Sequence, residues 1–384
     1  MGLFSTNYSY LGVNIGASSI KLVELADDKG TPKLATYGFT EQSVDIIKDD
    51  SEAARNEAAR ILKHLFKESK ATGNKVITAL PTFSVFTSVL SLPQMNKKDL
   101  AGAIKWEAKK IIPMPLEDIV LNWNVINEIK SPGSNKMKGI IGGKGEKHVE
   151  GEQHKKDKKD KEEKKEDTKV LITGAPKKLV SKYMDIFQRA NLSLLSLETE
   201  VFALIRSLVG NDKSTLIIVD LGAKATNISL VQNGLPVINR SIELGGNNIT
   251  QEIGQNLDIS VERAEQFKYD IGISDNGSNS SVFKSIESTI TPIIDEINYT
   301  IDFFKEQLAL GQNLEKENIE KIILTGGSSL LSYLPDYLSQ KLNKKVYLGD
   351  PWARIVYPED LKPIFEEIGP KLSVPIGLAM REIM

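Results

Sequence analysis

A chain of 384 residues with 49 basic against 51 acidic side chains, a formal net charge of −2 and no cysteine lacks the basic surplus that nucleic-acid backbones attract, and has no route to disulfides or thiol catalysis. No uncharged apolar run nears the ~20 residues that span a bilayer, and no basic-led apolar leader with a small-residue cleavage site opens the chain. The composition predicts a globular cytoplasmic protein of roughly two or three domains that reaches a membrane only through partners.

In chain order, Leu11–Glu24 predicts two apolar, β-branched strands around the turn Asn14-Ile15-Gly16-Ala17-Ser18-Ser19, with Lys21 just beyond it. Thr31–Phe39 and Lys75–Leu80 read as further strands. Between them, Ser51–Ser69 sets Ala54, Ala58, Ile61, Leu62, Leu65 and Phe66 at helical spacing, the pattern of an amphipathic helix docked on a sheet. His64 on this helix has no second His or Cys at ligand spacing, so it reads as a surface or core-edge histidine. From Phe83 the pattern changes to a strand, a helix Asn96–Ile112 and a strand Leu121–Ile126. A strand Val170–Ala175 and a helix Lys177–Ala190 continue it after an interruption, and the whole predicts a small inserted α/β subdomain. The interruption, Lys144–Lys169, holds ten lysines and nine acidic residues among 26. It has too little apolar area to offset the entropy of ordering, and reads as a solvated loop.

Leu192–Leu208 reads as a short strand and a helix, and carries Glu198 and Glu200. Next, Leu216–Val219 and Ile228–Val231 predict a buried hairpin whose turn contains Asp220, Gly222, Ala223 and Lys224. Asp220 ends the first strand with a carboxylate, Gly222 lets backbone N–H groups approach a phosphate, and Thr226 offers a hydroxyl. A third strand, Leu235–Ile242, leads to Gly245-Gly246-Asn247 at the start of a helix, where a phosphate or sugar contact and a plain turn fit equally well. Glu265 and Lys268, three apart, share a helix face and alone are an ordinary ion pair. Ser274–Ser281 reads as a loop, and Val282–Leu310 as a helix with an isoleucine stripe for the core. Lys321–Leu324 is a strand running into Thr325-Gly326-Gly327-Ser328-Ser329, with a helix from Leu330, a turn suited to nucleotides. A core helix containing Ile376, Leu378, Ala379 and Ile383 closes the chain.

Asn14, Gly16 and Ala17 fall in the first hairpin where Asp220, Gly222 and Ala223 fall in the second. The same device about two hundred residues apart suggests two related half-domains closing on one anionic ligand. None of the turns has the spacing of a Walker loop or a dinucleotide fingerprint.

Together these turns resemble the actin-like ATPases, in which two such hairpins grip the phosphates and a late Gly-Gly turn holds the adenosine. The resemblance implies an α/β, actin-like (ribonuclease H-like) two-lobe fold with an inserted small α/β subdomain, and a site for ATP and Mg2+. It assigns Asn14–Lys21, including Ser18 and Ser19, to the first phosphate loop and Asp220–Thr226 to the second. Gly326, Gly327 and Ser328 become the adenosine turn, and Glu265 and Lys268 the ribose- and base-contacting pair. The implied division is a first lobe from 1–82 and 191–213, an insert 83–190 containing loop 144–169, a second lobe 214–365, and a C-terminal helix 366–384 returning to the first lobe.

Narrower words, Ala79-Leu80-Pro81, Ile104-Lys105-Trp106-Glu107-Ala108, Ile112-Pro113-Met114-Pro115-Leu116-Glu117 and Glu200-x-x-Ala203-Leu204, resemble the PilM family of type IV pilus assembly proteins. That resemblance implies an ATP-binding scaffold on the inner face of the cell membrane, related to the division protein FtsA. Its implied partner is the N-terminal cytoplasmic tail of PilN, and it leaves homo-oligomerisation open. An FtsA-like membrane-tethered polymer former and a small-molecule kinase are the alternatives. The family carries Asp where this chain has Asn14. An amide can hold a water of a magnesium shell but brings no charge and takes no proton. Weak or absent turnover is therefore expected, with Asp220 and Glu200 as the acids left to orient water, and Asn14 and Asp220 reaching the metal through water.

Overall fold

The computed structural model describes residues 8–41, 44–126, 167–274, 280–309 and 318–384. Residues 144–166 of the expected charged loop, the centre of the expected loop Ser274–Ser281 and the expected helix end at Leu310 lie outside them. The strands, in order, are β1 (Ser9–Ile15), β2 (Ile20–Asp28), β3 (Thr31–Phe39), β4 (Lys75–Leu80), β5 (Phe86–Leu92), β6 (Ile119–Val125), β7 (Thr168–Pro176) and β8 (Ser193–Thr199). They continue with β9 (Leu216–Leu221), β10 (Thr226–Gln232), β11 (Leu235–Ile242), β12 (Lys321–Thr325) and β13 (Lys345–Leu348). Two five-stranded sheets, β3-β2-β1-β4-β8 and β11-β10-β9-β12-β13, share one plan. In each, three antiparallel strands lead into two parallel ones.

Helices cover these sheets because their apolar stripes need burial. Helix α1 (Glu52–Glu68) starts where the Ser51 hydroxyl accepts from the Ala54 N–H at 3.1 Å, and buries Ala54, Ala58, Ile61, Leu62 and Leu65. His64 stands on its exposed side beside Glu68. Helix α2 (Lys97–Ile111), capped by Asn96, lies on the three-stranded sheet β5-β7-β6 and packs Leu100, Ile104 and Ala108 against Val170 and Ile172. Helix α3 (Lys177–Arg189) falls within the range expected for the insert. It packs instead in the first-lobe core, where Tyr183, Ile186 and Phe187 meet Leu11, Val13 and Leu62.

Helix α4 (Glu200–Leu204) continues into a π-helical turn, Ile205–Val209, whose last carbonyls are held by Arg354. In the second lobe, α5 (Gly246–Leu257), α6 (Val261–Ile271) and α7 (Ser281–Ala309) close a core in which Ile290, Ile297 and Phe304 meet Ile217 and Ile228. The helix expected from Leu330 begins later: Gly327–Leu330 is one 3₁₀ turn, and α8 spans Leu334–Leu342. The last helix, α9 (Lys362–Met380), starts earlier than residue 366 and contains Pro370 and Pro375.

The two sheets meet around α4 and α9. Val201 and Leu204 of α4 and Val374 and Leu378 of α9 fill the seam between Ile77 and Ala79 of β4 and Ile218 and Ile323 of the second sheet. Backbones touch there. A Cβ on Gly12 would fall well inside contact with the Pro375 carbonyl, and one on Gly377 would do the same at the Ala203 carbonyl. Buried Glu198 of β8 is clasped by Arg206 of the π-helical turn at 2.9 and 3.1 Å and by Arg381, just beyond α9, at 3.3 Å.

Because the clash is with backbone, Gly377→Ala and Gly12→Ala are each expected to cost about 3 kcal/mol or more of stability. Gly102→Ala, with nothing within 4 Å of the added methyl on α2, should gain roughly 0.5–1 kcal/mol. Chemical denaturation of the three variants checks this ordering, and equal stabilities would contradict it.

Candidate functional site

The β1–β2 and β9–β10 hairpins close by the same bond. The Gly16 N–H donates to the Ser19 carbonyl at 3.0 Å and the Gly222 N–H to the Ala225 carbonyl at 3.0 Å. A side chain on Gly222 would come within 2.8 Å of that carbonyl. Ala17, Ser18 and Ser19 form the rest of the first turn. In register, Asn14 faces Lys21 across β1–β2, and Asp220 faces Asn227 across β9–β10. Asn14 and Asp220 are thus the same position of a duplicated unit, as are Lys21 and Asn227.

The second-lobe turns are locked together by backbone. The Gly222 carbonyl accepts from the Gly246 N–H at 3.0 Å and from the Ser328 hydroxyl at 3.1 Å, and the Ala223 carbonyl accepts from the Asn247 N–H at 2.8 Å. The N–H groups of Gly246 and Asn247 are therefore spent on holding the second loop. Gly245 and Gly246 are glycine because a Cβ would strike the Gly222 and Ala223 carbonyls or Ser328. Gly326, at φ +85°, lies against Asp220 and donates its N–H to the Pro370 carbonyl of α9 at 3.1 Å. Lys268 is buried, 2.7 Å from Glu265 and 2.9 Å from the Thr250 hydroxyl, beside Gly246. Thr226 is fully buried and gives its hydroxyl to the Leu244 carbonyl at 2.7 Å, a fastening of the hairpin and not a ligand contact.

The two lobes meet at a group of charges of which Glu200 is buried and Lys21 and Asp220 half-buried. Lys21 and Asp220 attract each other, Glu200 adds to that field, and the Asn14 side chain hydrogen-bonds Glu200. The Thr82 N–H donates to Glu200 Oε2 at 3.2 Å. Burial, and then the Asp220 charge, pushes the Glu200 carboxyl up to about 8. Burial also raises Asp220, against the pull of Lys21 and a hydrogen bond from Asn227, and lowers Lys21. Burial and the Asp220 charge thus favour the protonated form of Glu200. Asn227, whose Oδ1 accepts from Ser241 at 2.6 Å, is the residue that sequence reasoning missed here. Lys224 spans the lobes to Asp45 at 2.9 Å.

Asn14 Oδ1 is buried without a hydrogen-bond partner, an acceptor left open toward this group. Among the described residues no cluster of three or more His, Cys, Asp or Glu could hold a metal ion by itself. A divalent cation would fit here only if ligand oxygens and water supplied most of its shell, with Asn14 and Asp220 as the outer acceptors.

A family model described as Type IV pilus assembly protein PilM matches residues 12–154 and 156–383. The cell division protein FtsA of Bacillus subtilis is 24% identical over 303 residues, which is 73% of this chain and 62% of that protein. FtsA of Staphylococcus epidermidis is 27% identical over 146 residues, 35% of this chain and 32% of that one. The chain thus spans less than two thirds of these curated relatives. A PilM-PilN type IV pilus biogenesis complex has a TM-score of 0.74 at 22% identity, covering 98% of both chains. The ethanolamine utilization protein EutJ from Carboxydothermus hydrogenoformans has a TM-score of 0.52 at 16% identity, covering 97% and 90%. The fold is the actin-like two-lobe fold.

The Glu200 shift fixes a sign. The unfolded chain ionises this group near 4.5 and the folded one near 8. The stability it contributes is complete below 4.5 and is lost as pH rises through about 8. The denaturation midpoint of the ligand-free protein should fall across that window, and Glu200→Gln should flatten the fall. An equal slope in the variant would contradict the assignment.

Proposed function

We propose that this chain, which belongs to the family of type IV pilus assembly protein PilM, is a cytoplasmic ATP-binding scaffold of the pilus assembly machinery. In this reading it docks the N-terminal cytoplasmic tail of PilN at the inner face of the membrane, and nucleotide state sets lobe closure. The observation that carries the nucleotide half is the duplicated glycine hairpin, whose two copies meet at Asn14, Lys21, Glu200 and Asp220. Each hairpin brings backbone N–H groups and a polar strand end to one place, which suits the phosphates of a nucleotide. Bound Mg2+ would neutralise charge on the ATP phosphates, as phosphoryl transfer requires. Lys21 offsets phosphate charge, Asn14 Oδ1 and Asp220 accept from water around the cation, and Gly326, Gly327, Glu265 and Lys268 line the nucleoside end.

Turnover is weak in this reading for two reasons. Asn14 brings no charge to the first loop, and Glu200 carries the proton that a general base would have to accept. No helix among the described residues is long and apolar enough to cross a membrane. The PilM-PilN complex among the structural neighbours supports the partner. Exposed Phe83, Trp106 and Met114 on and beside the insert offer apolar surface for an extended peptide. An FtsA-like polymer former is less well supported, since the PilM family model matches residues 12–154 and 156–383 whereas the FtsA of Bacillus subtilis matches 73% of this chain.

Purified protein should bind ATP with turnover close to background, and Asn14→Asp should raise that turnover by about tenfold or more. Brisk native hydrolysis unchanged in the variant would overturn the account of Asn14. Immobilised PilN tail peptide should capture the protein to an extent that changes with ATP, whereas no capture in either condition would defeat the partner assignment.

A further inference from the structure

A lysine accompanies each glycine turn of the cleft. Lys21 Nζ lies 3.6 Å from where a Cβ of Gly16 would stand, and Lys268 Nζ lies 3.5 Å from the same point on Gly246. Lys224 belongs to the Gly222 turn. Lys371 of α9 runs along Gly327, with Cγ at 3.7 Å and Cε at 3.9 Å from its Cβ position.

Three of these four are answered within the protein. Lys21 faces Asp220 and Glu200, Lys224 reaches Asp45 at 2.9 Å, and Lys268 reaches Glu265 at 2.7 Å. Lys371 has no carboxylate partner among the described residues. Its ammonium stands 5.9 Å from the centroid of the Phe39 ring, and Phe39 pairs in register with Lys21. Lys371 therefore reaches from the Gly326–Gly327 turn of the second lobe toward the β2–β3 strand ends of the first. Its charge also opposes protonation of both Lys21 and Lys268, so it stands within electrostatic reach of each. A half-buried ammonium beside two like charges is unfavourable until an anion enters.

We infer that Lys371 is a ligand-binding residue that contacts the phosphate chain of a nucleoside di- or triphosphate in this cleft, an inference that rests on the nucleotide reading above. A solvated lysine that merely covers Gly327 is the plain alternative, and it leaves the convergence with Lys21 and the contact with Phe39 without a purpose. The position also gives the contact a consequence. Helix α9 fills the seam, and its Pro370 carbonyl holds the Gly326 N–H. A phosphate drawn to Lys371 is then felt by a helix that packs on both lobes.

The test is titration of the full chain with fluorescent ATP and ADP analogues in magnesium, with adenosine as a competitor. Lys371→Ala should weaken both nucleotides roughly tenfold, the loss of one charge-assisted contact. It should leave adenosine competition unchanged and not lower the unfolding midpoint of the ligand-free protein. Lys371→Arg should retain affinity to within about threefold. If Lys371→Ala binds ATP as the native chain does, the inference falls and the nucleotide reading stands. If it loses adenosine and ATP alike, the residue acts through packing and the inference also falls. A native chain that binds no nucleotide removes the reading itself.

Discussion

Backbone meets backbone where α9 packs on β1 and α4, beside the seam between the lobes, and most of the molecule's arrangement depends on that approach. Gly12 of β1 lies under the Pro375 carbonyl and Gly377 of α9 lies on the Ala203 carbonyl, at separations where any side chain would force the helices apart. Because α9 sits so deep, its Pro370 carbonyl can hold the Gly326 N–H, and Gly326 can lie against Asp220. The seam and the cleft are parts of one packing solution. A change in either is transmitted through contacts that cannot stretch, since densely packed interiors deform little.

The cleft is electrostatically costly, which is the mark of a place kept for a ligand and not for stability. A buried carboxyl, Glu200, is set beside half-buried Asp220 and Lys21, the Glu200 carboxyl is pushed up to about 8, and Asn14 Oδ1 has no partner. A hydrophobic replacement of this group would serve the fold better. The asymmetry between the duplicated turns is informative. Where the second carries Asp220 opposite Asn227, the first carries Asn14 opposite Lys21. One copy supplies the acid and the other the cation, which on the proposed reading would hold a phosphate chain without the second acid that would favour rapid hydrolysis.

The hairpins were legible in the sequence because strand composition and a glycine turn are both local signals, and their repetition made the two-lobe plan readable. The insert was legible for the same reason, except at its end. Nothing local says that Tyr183 and Phe187 turn to the first-lobe core, since their partners Leu11 and Leu62 are more than a hundred residues away. Thr226 was read as a hydroxyl for the ligand, but its acceptor is a carbonyl 18 positions on, visible only once the hairpin is folded. Asn227 could have been found by counting across the turn from Asp220. Lys371 could not: Pro370 and Pro375 interrupt the periodicity of α9 and hide both its length and the side that meets the cleft.

Hydrogen exchange read by mass spectrometry, with and without magnesium and ATP, tests directly whether both lobes hold one ligand. Peptides covering residues 12–21, 218–227 and 324–330 should gain protection together at a single nucleotide concentration, while the three strands of the insert's sheet change less. Protection confined to one hairpin, or absent from both at saturating nucleotide, would contradict the claim that the duplicated turns grip a shared phosphate chain.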